Sequence, residues 1–185
     1  MKTILICDLH KDFIDRAVET FKDRPYVKVM PVGTDIFKIE ADAIVSPANS
    51  SGYYRGGFDG ILASKLPWGE LERVVREEIF KKYPDRILPV GKVLSVKVPI
   101  CNYKYLIVAP TMVRPATDIS GTTVPYIVMQ AICMELLTNP EINSVVVMGL
   151  GTGVGGISSA DCIDQMDIAM FDVMDEGFKE ILHCD

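Results

Sequence analysis

The sequence predicts an α/β fold with a mixed sheet, formed by a single domain over residues 1–185. Three observations carry this expectation. Short, uniformly apolar runs such as Ile4–Cys7 and Asp42–Ser46 read as buried strands. Between them lie segments whose apolar residues recur at helical spacing. With 49% apolar and 24% charged residues, the chain can bury one sizeable core, and no repeat, low-complexity tract or linker divides it.

In chain order, Ile4–Cys7 is the first strand. A helix follows with Phe13, Ile14, Ala17, Val18 and Phe21 on one face. Tyr26–Val32 and Asp42–Ser46 read as the second and third strands. Pro67 is suited to the first turn of a helix that buries Leu71, Val74, Val75 and Ile79. Val93–Val98 and Tyr105–Ala109 are strands four and five, and residues 110–123 form a loop rich in Pro, Thr and Gly. A strongly apolar helix covers 124–137, Ser144–Met148 is the sixth strand, and Ser158 with Asp161 marks the start of a last helix.

Composition excludes several functions. No apolar run reaches the ~20 residues of a membrane span, and Thr3–Cys7 is too short for a signal-peptide core. The five cysteines contain no CxxC pair and the only histidines are His10 and His183, so neither zinc nor another metal is expected. Reduced thiols in the cytoplasm are the simplest reading. The histidines are read as surface side chains without a role, and nothing in the spacing pairs a cysteine nucleophile with a histidine base. A net charge of −6 argues against direct nucleic-acid binding. An acidic chain that binds an anion must do so through backbone amides.

Two glycine-rich loops are the places for such chemistry. The first, SPANSSGYYRGGFDG at residues 46–60, is longer than a plain connector and offers Asn49, Asp59 and flexible backbone around a polar ligand. A carboxylate among free amides can hold or activate water. The second, GLGTGVGG at 149–156, has five glycines in eight residues between a strand and a helix. Gly151, Gly153 and Gly156 satisfy GxGxxG, but the acidic residue expected about 20 positions later falls inside the helix, so a nicotinamide-dependent dehydrogenase is not supported. The amides still make a phosphate cradle.

Together these stretches resemble the macro domain, the ADP-ribose-binding module. Val32-Gly33-Thr34-Asp35-Ile36 is similar to the family's first signature, and Asp42-Ala43-Ile44-Val45-Ser46-Pro47-Ala48-Asn49 to its second. Asn49 through Gly56-Gly57-Phe58-Asp59-Gly60, with that Asn-to-Asp interval, resembles the ADP-ribosyl-hydrolysing branch. Gly149–Gly156 resembles the second phosphate loop, and the likeness runs in order over about residues 30–175.

The resemblance implies a three-layer α/β/α fold and a site without cofactor. It places Asp35 on the adenine amino group with the Ile36 amide nearby, and Ser46 where the family has an asparagine. Asn49 would contact the distal ribose and Asp59 would position or activate water there. Gly56, Gly57, Phe58, Gly151, Thr152, Gly153, Val154 and Gly155 would bind the ligand, chiefly its diphosphate. The implied function is binding of ADP-ribose or an ADP-ribosylated substrate, with hydrolysis of an ADP-ribosyl ester or O-acetyl-ADP-ribose. The alternatives are a non-catalytic reader and a partner-binding protein with a degenerate pocket. The family usually closes with a strand and a helix after the second loop's helix; ILICDLHKDFIDRAVETF at residues 4–21 has that character. It is read as supplying them by circular permutation, with Phe13 as the ring on adenine.

Overall fold

The computed structural model describes residues 2–176. Strand β1 (Thr3–Ile6) alternates its side chains, with Ile4 and Ile6 entering one core and Leu5 the other. Helix α1 (Lys11–Phe21) buries Phe13, Ile14, Ala17 and Phe21. Val18, expected on that face, is 53% exposed. At ~100° per residue it lies about 40° outside the arc spanned by Phe13 and Ile14. Strand β2 is only Val27–Val29, cut short by the prolines at 25 and 31.

A 3-10 turn at Ile36–Lys38, absent from the sequence reading, precedes β3 (Ala43–Ser46), which is buried throughout. Helix α2 (Gly57–Ala63) begins inside the first glycine segment, so that segment is less of a loop than expected. Pro67 lies ahead of α3 (Glu70–Lys82) and only lends its carbonyl to the Glu70 amide at 3.0 Å. Strands β4 (Leu94–Ile100) and β5 (Tyr103–Val108) form a hairpin that takes in residues expected to be loop. Its turn holds Cys101 at φ 53°, and a register shift between Lys97 and Ile100 accommodates Pro99. Helix α4 (Val124–Thr138), β6 (Ser144–Val147) and α5 (Ser159–Met170) complete the order, and α5 runs on into a π-helical turn at Phe171–Glu176.

The six strands form one mixed sheet in the order β2-β1-β6-β3-β5-β4, parallel except for β4. Helices α1, α4 and α5 cover one face; α2 and α3 cover the other. Each buried Ile, Leu or Val in these two cores contributes about 1.5–3 kcal/mol. Strand β1 does not sit at a sheet edge. It lies between β2 and β6, with Thr3 opposite Ser144 and Ile6 opposite Val147. All five parallel strands end on one side of the molecule, where both glycine loops emerge, the usual place for ligands in open α/β sheets.

Candidate functional site

The first loop leaves β3 and is pinned to its surroundings. The Thr111 amide donates to the Ala48 carbonyl at 3.0 Å, the Ser50 amide to Met112 at 2.9 Å, and the Leu88 amide to Ser50 at 2.9 Å. Within the loop, the Asn49 side chain accepts from the amides of Ser51 and Tyr53 at 3.2 and 3.3 Å. Its own amide donates to the Tyr53 carbonyl at 2.8 Å. Asn49 is therefore buried and engaged in a local Asx-type turn, with its side chain turned onto its own loop.

Tyr54 and Arg55 follow. Tyr54 is 4% exposed, so it closes the core beneath the loop instead of gating its mouth. The Tyr54 amide and the Arg55 guanidinium both reach Glu72 on α3, at 3.2 and 3.1 Å. Arg55 also lies over the Tyr53 ring at 4.8 Å, and Arg76 lies over the same ring at 4.4 Å. The arginine next to the glycines is thus directed toward α3. Gly57 then opens α2 with φ 55°, a left-handed conformation that suits glycine. The helix leaves the first-turn amides of Gly57, Phe58 and Asp59 without intrahelical acceptors, and Gly56 supplies no side-chain cap.

Asp59 stands on that first turn. Its Oδ1 accepts from Ser46 Oγ at 2.7 Å, and the Tyr54 hydroxyl lies 3.1 Å from the same serine oxygen. Since Ser46 has one proton, given to the carboxylate, the tyrosine O–H supplies the second bond. Ser46 is fully buried. No buried side-chain nitrogen or oxygen among the described residues goes unpaired, so Asp59 Oδ2, which has no protein partner, opens to solvent. Burial pushes the Asp59 carboxyl up to about 6, opposed in part by the Ser46 bond. Burial, and secondarily the Asp59 charge, holds the Tyr54 phenol far above its ordinary range. Phe58 stacks at 6.2 Å on Phe37 of the 3-10 turn, a contact that no local pattern announces.

The second loop has a different logic. Its carbonyls are taken by the fold: Gly151 accepts from Ile157, Gly153 from Gly156 and Gly155 from Ile119, at 2.9–3.1 Å. The Leu150 amide is held by Cys162 Sγ of α5 at 3.3 Å. The five consecutive amides of Gly151, Thr152, Gly153, Val154 and Gly155 have no acceptor among the described residues. Such a row is an anion-binding concavity. Gly155 is required by space, because a Cβ there would lie 2.6 Å from the Gly151 carbonyl oxygen.

Asp35 caps the 3-10 turn, accepting from the Phe37 amide at 3.1 Å. It stands beside an open cleft of about 520 Å³ with Leu5, Met30 and Thr34 in its walls. Ile36 lends its carbonyl to the Tyr103 hydroxyl. Phe13 is the clear correction: at 1% exposure it packs among α5 and the sheet, leaving no ring face for a base. The side chains that do reach the surface there are Leu9 and His10. Asp8 joins them to the second loop, accepting from Gly149 N at 3.1 Å through Oδ2, and from His10 N and Nδ1 at 2.9 and 2.7 Å through Oδ1. This contact is not visible in the sequence, because the apolar pattern gives no sign that β1 pairs with β6. His183 lies outside the described residues. Cys7, directly after β1, is a protonated thiol: burial, then the charges of Asp8 and Asp35, raise it to about 11. Among the described residues, no three His, Cys, Asp or Glu side chains gather to hold a metal.

The Macro domain family model matches residues 45–166, from β3 through most of α5. The chain belongs to the Macro domain family. A protein of Aquifex aeolicus (strain VF5), itself uncharacterised, is 35% identical over 122 residues, 66% of this chain and 68% of that one. The chain spans about two thirds of the length of the curated relatives it matches. Among solved structures, the macrodomain of Mycobacterium tuberculosis DarG superposes with a TM-score of 0.64 at 18% identity, covering 79% of this chain and 91% of that one. Thermosipho africanus DarTG in complex with ADP-ribose superposes at 0.59 and 16% identity, over 91% of this chain and 50% of that one. At such identity these likenesses speak for the fold. In this Macro domain the sheet is thus the family's, with both glycine loops on the side where its parallel strands end. None of the helices among the described residues is long and apolar enough to cross a membrane.

Proposed function

We propose that this Macro domain binds ADP-ribose or an ADP-ribosyl group and hydrolyses an ester of it, as in O-acetyl-ADP-ribose. The observation that carries the binding is the row of five amides at 151–155, unpaired among the described residues, in a chain of net charge −6. A diphosphate is held by neutral donors there, and the first-turn amides of α2 provide a second set. The adenine is assigned to the cleft beside Asp35, its amino group donating to that carboxylate.

Hydrolysis rests on Asp59. Its Oδ1 is fixed by Ser46, and its free Oδ2 accepts a proton from water while the water oxygen bonds to the ester carbonyl carbon. The ester C–O bond then breaks, the proton passes to the departing ribose oxygen, and the acid is released. A raised carboxyl makes Asp59 a better base than an ordinary aspartate, although one that is only half ionised at about pH 6. Assignment to the hydrolysing branch rests on this residue. One observation favours the reader alternative: the Asn49 amide is already used within its own loop.

Calorimetric titration with ADP-ribose, with AMP as the control, tests the binding. Micromolar affinity that AMP does not match supports the cradle, and absence of heat sinks it. Asp59→Ala separates enzyme from reader. The enzyme reading expects turnover of O-acetyl-ADP-ribose to fall at least about a hundredfold while binding persists. Unchanged turnover contradicts the proposed mechanism.

A further inference from the structure

We propose that Ile119, which belongs to neither glycine loop, is a positioning residue of the diphosphate cradle and holds the 151–155 amides in the form that meets the ligand. The inference deepens the proposed binding of ADP-ribose and rests on it. The segment between β5 and α4 runs from one glycine loop to the other. At its start the Met112 carbonyl accepts from the Ser50 amide at 2.9 Å, and Met112 forms a parallel bridge with Asn49. Val113 to Asp118 are exposed, and the chain then turns back in at Ile119. There the Ile119 amide donates to the Gly155 carbonyl at 2.9 Å. Ile119 is itself braced, because its carbonyl accepts from the Thr122 amide at 3.2 Å and from Thr122 Oγ1 at 2.6 Å. One short segment thereby ties the first loop to the second.

The second loop is wrapped on the Ile119 side chain. A Cβ added at Gly151 would lie 2.7 Å from Ile119 Cδ1, and one at Gly155 would lie 2.8 Å from Cγ1 and 3.1 Å from Cδ1. The isoleucine, 7% exposed, thus fills the room that two glycines leave free. At Gly153, between them, an added Cβ would meet nothing within 4 Å, so that part of the loop borders open space. The carbonyls of Gly151 and Gly153 are held within the loop and its exit, by the amides of Ile157 and Gly156 at 3.1 Å each. The Gly155 carbonyl is held from outside, by Ile119. In a trans peptide the N–H points away from the C=O, so holding Gly151 and Gly153 aims the Thr152 and Val154 amides to the opposite side. Without the Ile119 side chain the loop would lose its packing surface at both Gly151 and Gly155, and its amides would lose their common direction.

The test is calorimetric titration of the whole chain with ADP-ribose, together with the amide NMR signals of residues 151–155 before ligand is added. The variants are Ile119→Ala, Ile119→Val and, as a control for stability alone, Ile142→Ala. Ile142 is fully buried just ahead of β6, at the end of that strand away from the second loop. Ile119→Ala should weaken ADP-ribose binding about tenfold and move the signals of 151–155. Ile119→Val, which loses only Cδ1, should weaken it about threefold, with the shifts centred on Gly151, the glycine that Cδ1 approaches most closely. Ile142→Ala should melt at a lower temperature and bind as wild type does. Wild-type affinity in Ile119→Ala, or an equal loss in Ile142→Ala, overturns this proposal and leaves the binding reading standing. Should Ile119→Ala fail to fold, Ile119→Val decides, and unmoved signals at 151–155 overturn the proposal. Absence of ADP-ribose binding by wild type overturns the binding reading itself, and this role with it.

Discussion

Ser46 Oγ lies 2.7 Å from Asp59 Oδ1 and 3.1 Å from the Tyr54 hydroxyl, so one buried serine links the carboxylate to a phenol that is 4% exposed. Ser46→Ala removes the bond that lowers the Asp59 carboxyl and leaves Tyr54 without its side-chain partner. The Asp59 titration, followed by carboxyl NMR, should move upward from about 6. Urea unfolding should show a loss of about 1–3 kcal/mol. A downward move of the titration contradicts the assigned hydrogen bond.

Asp59 also sets a pH dependence of stability. Its carboxyl titrates at about 6 in the fold against an ordinary value of 3.8. The folded chain therefore holds that proton more tightly than the unfolded chain. The contribution is complete below about pH 4 and is lost as pH rises through 6. Asp59→Asn, which can still accept from Ser46, should stabilise the domain by about 1–2 kcal/mol at pH 7.5 and change little at pH 4. Equal effects at both pH values would count against the raised titration.

The second loop tolerates a methyl group at one glycine and resists it at another. At Gly153 an added Cβ meets no atom within 4 Å, whereas at Gly155 it meets the Gly151 carbonyl oxygen at 2.6 Å and Ile119 Cγ1 at 2.8 Å. Thermal melts should leave Gly153→Ala within about 0.5 kcal/mol of wild type. Gly155→Ala should lose about 1–3 kcal/mol. The reverse order is incompatible with the loop geometry.

Thiol reactivity should follow burial. Burial raises Cys133 and Cys162 to about 12 and Cys7 to about 11, while Cys101 is exposed in the β4–β5 turn. Among the described cysteines, iodoacetamide at pH 8 should label Cys101 in the native chain and spare Cys7, Cys133 and Cys162. Peptide mapping by mass spectrometry reads this directly. Labelling of Cys162 at a comparable rate would show that the brace on Leu150 opens readily.

Much of this architecture was legible in the sequence. Apolar runs such as Ala43–Ser46 and Ser144–Val147 can only be buried strands, and the Ser158–Asp161 cap appears as read, with the Asp161 amide donating to Ser158 Oγ at 3.0 Å. Pairing across the chain was not legible. Nothing local tells Asp8 that it will meet Gly149, or Phe37 that it will stack on Phe58. Phe13 shows the opposite limit: a resemblance gave it a ligand, while its helical spacing with Ala17 gave it to the core, and packing prevailed. The permuted chain order is a proposal that the place of β1 beside β6 supports.

The pairing of Ile4 with Val145 brings together residues far apart along the chain, and this has a kinetic consequence. During synthesis β1 and β2 emerge early, but the edge of β1 that faces β6 stays open until Ser144–Val147 has followed. Closing so long a loop is entropically costly and slow. The β1–α1–β2 unit must spend that interval with an apolar strand edge uncovered, the feature of this nascent chain most in need of a chaperone.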